Sequence, residues 1–203
     1  MSELFSIQLQ NRQQQGRDGV WLDLPTTTEQ VQAALRQIGI SSDNPQGLFI
    51  SGYFAEEEKR FAIPYNMVLA SNVDELNFLA SRLETLSTGE RTELNAALQA
   101  PQSELFSIGR ITDFPENVDY YVHLPDVHGP AQLGDYYLNR SGMVDMPEEW
   151  KGGIDTAQFG RYVAQQEQGA FTQYGYLVKS GDEWQKVYEG QPVPEEYRVT
   201  PQP

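Results

Sequence analysis

Five carboxylates, Asp113, Glu116, Asp119, Asp126 and Asp135, follow one another between Ile111 and Asn139 with no Lys or Arg among them, and Asp145, Glu148, Glu149 and Asp155 continue the series. Groups of this type can serve as general acids and bases, hold a divalent cation, or present fixed negative charge to a basic partner. Acid–base work needs two carboxyl groups at a set separation across a cleft, which adjacency in sequence, as in Glu148-Glu149 or Asp182-Glu183, does not supply. Metal binding needs a convergent ligand set. His123, Asp126 and His128 offer two imidazoles and a carboxylate, but Pro125 breaks any regular element between them and no third strong ligand is identifiable. No nucleophile elbow, phosphate-cradling glycine loop or HExxH stretch is present. Fixed charge needs only an excess, and the chain has one: 29 Asp and Glu against 14 Lys and Arg, a net charge of -15 over 203 residues. The residues therefore point to a non-enzymatic protein with no cofactor and no metal, whose partner is basic.

The excess is uneven. Residues 104–167 hold 11 acids and 4 bases, a net of -7, while 1–61, 62–103 and 168–203 carry -3, -3 and -2. An acidic chain that is 39% hydrophobic and 11% aromatic can bury cores, unlike a disordered acidic tail. Tyr120, Tyr121, Tyr136, Tyr137, Tyr162, Tyr174 and Tyr176 read as core and interface residues with surface-reaching hydroxyls. Base stacking would use similar rings but needs a basic groove, so direct nucleic-acid binding is disfavoured. No window approaches a membrane span, and Met1-Ser2-Glu3 opens without a basic or apolar leader. The chain has no cysteine; the expectation is a cytoplasmic protein with no membrane partner.

The elements that must position these groups follow from periodicity. Leu4–Leu9, Val20–Leu24 and Leu48–Phe54 read as strands, with Gln10–Gly19 a hairpin loop. Thr26 and Glu29 offer a capping box for a helix whose buried stripe is Val31, Leu35 and Ile38. After the charged connector Glu56–Arg60, Asn72 and Glu75 start a second helix that Gly89 ends, and Arg91–Ala100 forms a third, stopped by Pro101. Val118–Leu124 and Gly169–Val178 alternate as strands, Ala131–Leu138 reads as a helix, and Asp155 caps another running through Tyr162. The tail from Gln191 is Pro-rich and extended. The expected fold class is α+β: an elongated chain of three small domains with an acidic surface, namely an α+β domain at 1–61, a small helical one at 62–103 and an acidic α+β one at 104–167, followed by an extension at 168–203.

Several stretches carry a resemblance. Val20-Trp21-Leu22-Asp23-Leu24-Pro25 with its Thr-rich helix cap, Val73-Asp74-Glu75-Leu76-Asn77-Phe78-Leu79-Ala80, Tyr120-Tyr121-Val122-His123-Leu124-Pro125 and Leu133-Gly134-Asp135-Tyr136-Tyr137 occur in that order. Together they resemble the antirestriction protein ArdA family from about Leu4 to about Tyr176. Leu133, Gly134, Tyr136 and Tyr137 carry the family motif within the last stretch.

The resemblance implies three small domains in an elongated, curved homodimer whose carboxylates imitate duplex phosphates and occupy the DNA-binding groove of type I restriction-modification enzymes. Asp113, Glu116, Asp119, Asp126, Asp135, Asp145, Glu148, Glu149 and Asp155 would then be phosphate surrogates. At one charge per roughly 1.7 Å of duplex, twice -15 matches only about 50 Å of DNA. A longer mimic must be more dilute in charge and must rely on shape. The family also implies an acidic pair before the glycine that follows Tyr137, where this chain has Asn139-Arg140. That departure implies modification enzymes bound but restriction blocked weakly. The alternative is an acidic interaction module for another basic DNA-binding protein.

Overall fold

The computed structural model describes residues 4–14, 18–41, 46–57, 60–101 and 103–201. Parts of the expected Gln10–Gly19 loop and Glu56–Arg60 connector, and the opening Met1–Glu3, lie outside the described residues. Among the described residues, helices and two small antiparallel sheets make an α+β fold. The chain packs into two compact units: unit 1 comprises Met1–Ser87, Leu105–Glu116 and Gln185–Pro203, and unit 2 comprises Thr88–Glu104 and Asn117–Trp184. These units interleave the four segments read from composition. Residues 62–103 and 168–203 each contribute to both, because what holds a short segment is the core it reaches and not the neighbours it has in sequence.

Unit 1 opens with β1 (Phe5–Asn11), β2 (Val20–Leu24), α1 (Thr28–Gln37) and β3 (Leu48–Phe54), the three strands and one helix expected of this stretch. The sheet order is β2-β1-β3. Phe5, Ile7 and Leu9 of β1 are buried at a period of two, and Val31, Ala34 and Leu35 form the buried face of α1. The helix starts one residue later than expected. Thr27 is the N-cap, accepting from the Gln30 amide while the Gln30 carboxamide accepts from the Thr27 amide. Thr26 cannot hold that place, since its own amide donates to Asn77 Oδ1 at 2.7 Å.

Two helices follow, α2 (Tyr65–Leu69) and α3 (Val73–Glu84). Asn72 and Glu75 form the expected capping box on α3, whose face of Val73, Leu76, Leu79, Ala80 and Leu83 is buried. Helix α4 (Thr88–Gln99) belongs to unit 2, and Gly89 sits in its first turn instead of ending α3. The short α5 (Ile108–Asp113), N-capped by Ser107, returns to unit 1. Residues 185–201 complete this unit with a single 3-10 turn at Glu195–Tyr197.

Unit 2 is built from α4, β4 (Tyr121–Leu124), α6 (Pro130–Asp135), α7 (Glu148–Lys151), α8 (Thr156–Glu167), β5 (Ala170–Thr172) and β6 (Gly175–Lys179), with sheet order β4-β6-β5. Val118–Tyr120 is a 3-10 turn, so β4 is shorter than the alternation suggests. The expected strand Gly169–Val178 is a hairpin, turned at Gly175 with φ +117°. Helices α6 and α8 pack at backbone distance: a Cβ on Gly134 would strike the Thr156 carbonyl, and one on Gly160 the Pro130 carbonyl. Above this contact Val127, Leu133 and Tyr176 form the core. Asp155 caps α8 by accepting from the Gln158 amide at 2.9 Å, as expected, and the helix runs on past Tyr162 to Glu167.

Candidate functional site

The nine expected surrogates divide between the units: Asp113 and Glu116 fall in unit 1, and the other seven in unit 2. Unit 2 carries thirteen carboxylates against five cations, a net of -8 on 85 residues, whereas the larger unit 1 carries -7. The acidity is therefore densest on unit 2.

Burial and pairing sort the carboxylates further. Asp113 is 0% exposed, and its two oxygens accept from the backbone amides of Tyr188 at 2.6 Å and Glu189 at 3.2 Å. A group with no solvent contact cannot stand in for a phosphate, so Asp113 is removed from the surface set. Its acidic neighbours in sequence suggest a surface position, but as the last residue of α5 it is buried. Glu116 is on the surface and forms a two-pronged ion pair with Arg82 of α3, which offsets its charge locally.

In unit 2, Asp135 is held by Asn139 and Arg140. Asn139 Nδ2 donates to its Oδ1 at 2.8 Å and Arg140 Nη2 to its Oδ2 at 2.7 Å. Beyond α6 the helix widens into a π-helical turn over Tyr136–Arg140, closed by the Ser141 amide donating to the Tyr136 carbonyl at 2.9 Å. That winding stacks residue i over i+5 and lets Arg140 reach Asp135. The Asn139 bond, then the Arg140 bond, hold the Asp135 carboxyl below the usual aspartate range. Glu148 is paired with Lys151 at 2.6 Å. Asp155 is exposed but committed to the α8 cap. Asp119, Asp126, Asp145 and Glu149 are exposed and, among the described residues, have no cation within ion-pair distance. These four are the uncompensated charges of the expected surface.

The motif residues do structural work. Leu133 is fully buried, and Gly134 permits the α6–α8 contact. Tyr136 and Tyr137 pack edge to face at 5.4 Å. The Tyr137 hydroxyl donates to Glu167 Oε1 at 2.5 Å and the Tyr176 hydroxyl to Glu167 Oε2 at 2.9 Å, so one carboxylate satisfies two phenols. Burial, and then those bonds to Glu167, push both phenol pKa values upward.

Sequence order gave no sign of one further cluster. Glu93 on α4 lies near Glu90 on the same helix and Asp119 on the 3-10 turn before β4. Burial, then Glu90, then Asp119 push its carboxyl from 4.5 up to about 8, and its Oε1 is shut off from solvent without a hydrogen-bond partner. A period-based reading could only have marked Glu93 as a polar position on α4. Its neighbour Asp119 is 26 residues away, and folding alone joins them.

The metal and enzyme readings find little geometry. His123 Nε2 is 2.8 Å from the Tyr174 carbonyl, to which it donates in the tautomer that places its proton there. His128 is exposed, and among the described residues no group of three or more His, Asp or Glu could hold a metal ion. Unit 1 contains a cavity of about 640 Å³ between α2, α3, α5 and residues 188–193, walled chiefly by Met67, Phe78, Phe106, Ile108 and Tyr188. Its carboxylates are already engaged: Glu75 in the α3 capping box, and Glu189 with Arg110 and Lys186. Among the described residues no helix is long and apolar enough to cross a membrane.

Among the described residues the chain is an acidic α+β protein whose carboxylates are distributed over its surface. The model of the antirestriction protein (ArdA) family matches residues 15–178. The chain therefore belongs to the antirestriction protein (ArdA) family. No curated protein matches it.

Proposed function

We propose that this protein is a DNA mimic that inhibits type I restriction-modification enzymes by occupying their DNA-binding groove. It acts stoichiometrically and without catalysis, in the cytoplasm, as an elongated homodimer. The observation that carries the reading is the set of exposed, uncompensated carboxylates on unit 2, Asp119, Asp126, Asp145 and Glu149, in a chain of the antirestriction family. A groove that binds DNA gains affinity by setting Lys and Arg against phosphates, and spaced carboxylates on a folded scaffold draw on the same attraction. The packed α6–α8 pair and the Glu167 bonds to Tyr137 and Tyr176 give that scaffold fixed geometry.

Competition tests the proposal. A purified type I enzyme bound to labelled duplex DNA is titrated with the protein at two salt concentrations. Displacement near one-to-one stoichiometry, weakening as salt rises, is expected. Changing Asp126, Asp145 and Glu149 together to the amides should weaken displacement more than any single change. Loss of all displacement on one Asp→Asn change, with the fold intact, would falsify the distributed model. Absence of displacement from any type I enzyme would favour another basic partner for the same surface.

A further inference from the structure

Residues 185–201 lie beyond the family match, which ends at 178, yet unit 1 binds them with side chains drawn from its own helices. At one end, Asp113 takes the amides of Tyr188 and Glu189, and Arg110 Nε donates to Glu189 at 3.1 Å. At the other, Asp74 Oδ1 accepts from the amides of Val199 and Thr200, both at 2.8 Å, and its Oδ2 accepts from the Thr200 hydroxyl at 2.5 Å. Asn77 links this segment to the connection between β2 and α1: its Nδ2 donates to the Tyr197 carbonyl at 3.0 Å while its Oδ1 accepts from the Thr26 amide. Phe78 packs on Tyr188, perpendicular at 4.9 Å, and on Tyr197 at 4.6 Å.

We propose that residues 185–201 are an obligatory strap of unit 1, locked by Asp74, Asn77 and Asp113 as positioning residues. Asp113 supplies the physical argument. A carboxylate with no solvent contact is costly unless its oxygens are satisfied, and its two backbone donors named here come from the strap. Releasing the strap would take two backbone hydrogen bonds from that group and uncover Phe78, which is 5% exposed with the strap in place. The strap also closes a chain topology. Residues 117–184 are inserted into unit 1 between Glu116 and Gln185. The Asp113 bonds to Tyr188 and Glu189 fasten the outgoing and returning passages together a few residues from where each leaves unit 1. Asp113 is thus a clamp at the base of an insertion.

Amide hydrogen exchange on the full-length chain tests this, together with thermal unfolding, and needs no restriction enzyme. The variants are Asp113→Asn, Asp74→Asn and the double change, with Glu195→Gln/Glu196→Gln as a control on exposed strap carboxylates. In the unaltered protein, the amides of Tyr188, Glu189, Val199 and Thr200 should exchange at least about 100-fold slower than in unstructured chain. Asp113→Asn should accelerate exchange at Tyr188 and Glu189 and lower Tm by several degrees, Asp74→Asn should do so at Val199 and Thr200, and the control should change neither. Exchange of these four amides at unstructured-chain rates in the unaltered protein overturns the strap. So does a double variant with unaltered exchange and Tm. If the double variant fails to fold, the exchange pattern of the unaltered chain still decides.

Discussion

Replacing Glu93 with Gln should stabilise the protein, by an amount that grows as pH rises from about 4.5 to about 8. Glu93 sits on α4 with one carboxyl oxygen enclosed and unpartnered, and its pKa is pushed from 4.5 up to about 8 by burial, Glu90 and Asp119, in that order. A carboxyl that titrates higher in the folded than in the unfolded chain retains its proton longer on folding. Its contribution to stability is therefore fully present below about 4.5 and is lost as pH rises through about 8. Taken whole, a displacement from 4.5 to about 8 corresponds to roughly 5 kcal/mol at about 1.36 kcal/mol per pH unit. The side chain is only partly buried, and solvent screening reduces this to about 1–2 kcal/mol. For a chain of this size that is roughly 2–8 °C in Tm. Glu93→Gln keeps the shape and removes the charge, so thermal unfolding followed by circular dichroism should show similar Tm values at pH 4 and a higher Tm for the variant at pH 9. A difference that is constant across pH, or a less stable variant at pH 9, would refute the reasoning.

Two other changes probe different parts of the molecule. Arg140→Glu removes the cation from Asp135 and adds a carboxylate on the exposed π-helical turn; displacement of DNA from a type I enzyme should need less protein, most visibly at low salt, and unchanged titration curves would remove this turn from the binding surface. Gly160→Ala drives a methyl into the Pro130 carbonyl across the α6–α8 contact, so unit 2 should lose about 2 kcal/mol or more, read as a lower denaturant midpoint, while Gly152→Ala, with open space around it, should cost under about 1 kcal/mol.

Local signals were legible where a single element satisfied them. The Asn72–Glu75 box, the Asp155 cap and the alternation of β1 depend on residues a few positions apart, and each stands where its pattern placed it. The capping box at Thr26 failed by one residue because Asn77, 51 positions away, takes the Thr26 amide. The helix expected over Ala131–Leu138 is α-helical only to Asp135 and continues as a π turn to Arg140, a local winding that periodicity does not distinguish. The acidic run from Asp113 to Asp135 reads as one surface in sequence, but it passes from unit 1 into unit 2 on the way.

The sequence by itself determined the acidic excess, the α+β class, the strand pattern of the first sheet and the membership in the antirestriction family, because composition, period and ordered short motifs are properties of neighbouring residues. Tertiary structure alone decided which carboxylates act as charges. It buried Asp113 against the strap, paired Glu116 with Arg82 and Asp135 with Arg140, and left Asp126 and Asp145 open to solvent. A side chain's effective charge depends on its solvent exposure and on the cations within a few ångströms. Both are set by contacts between distant parts of the chain.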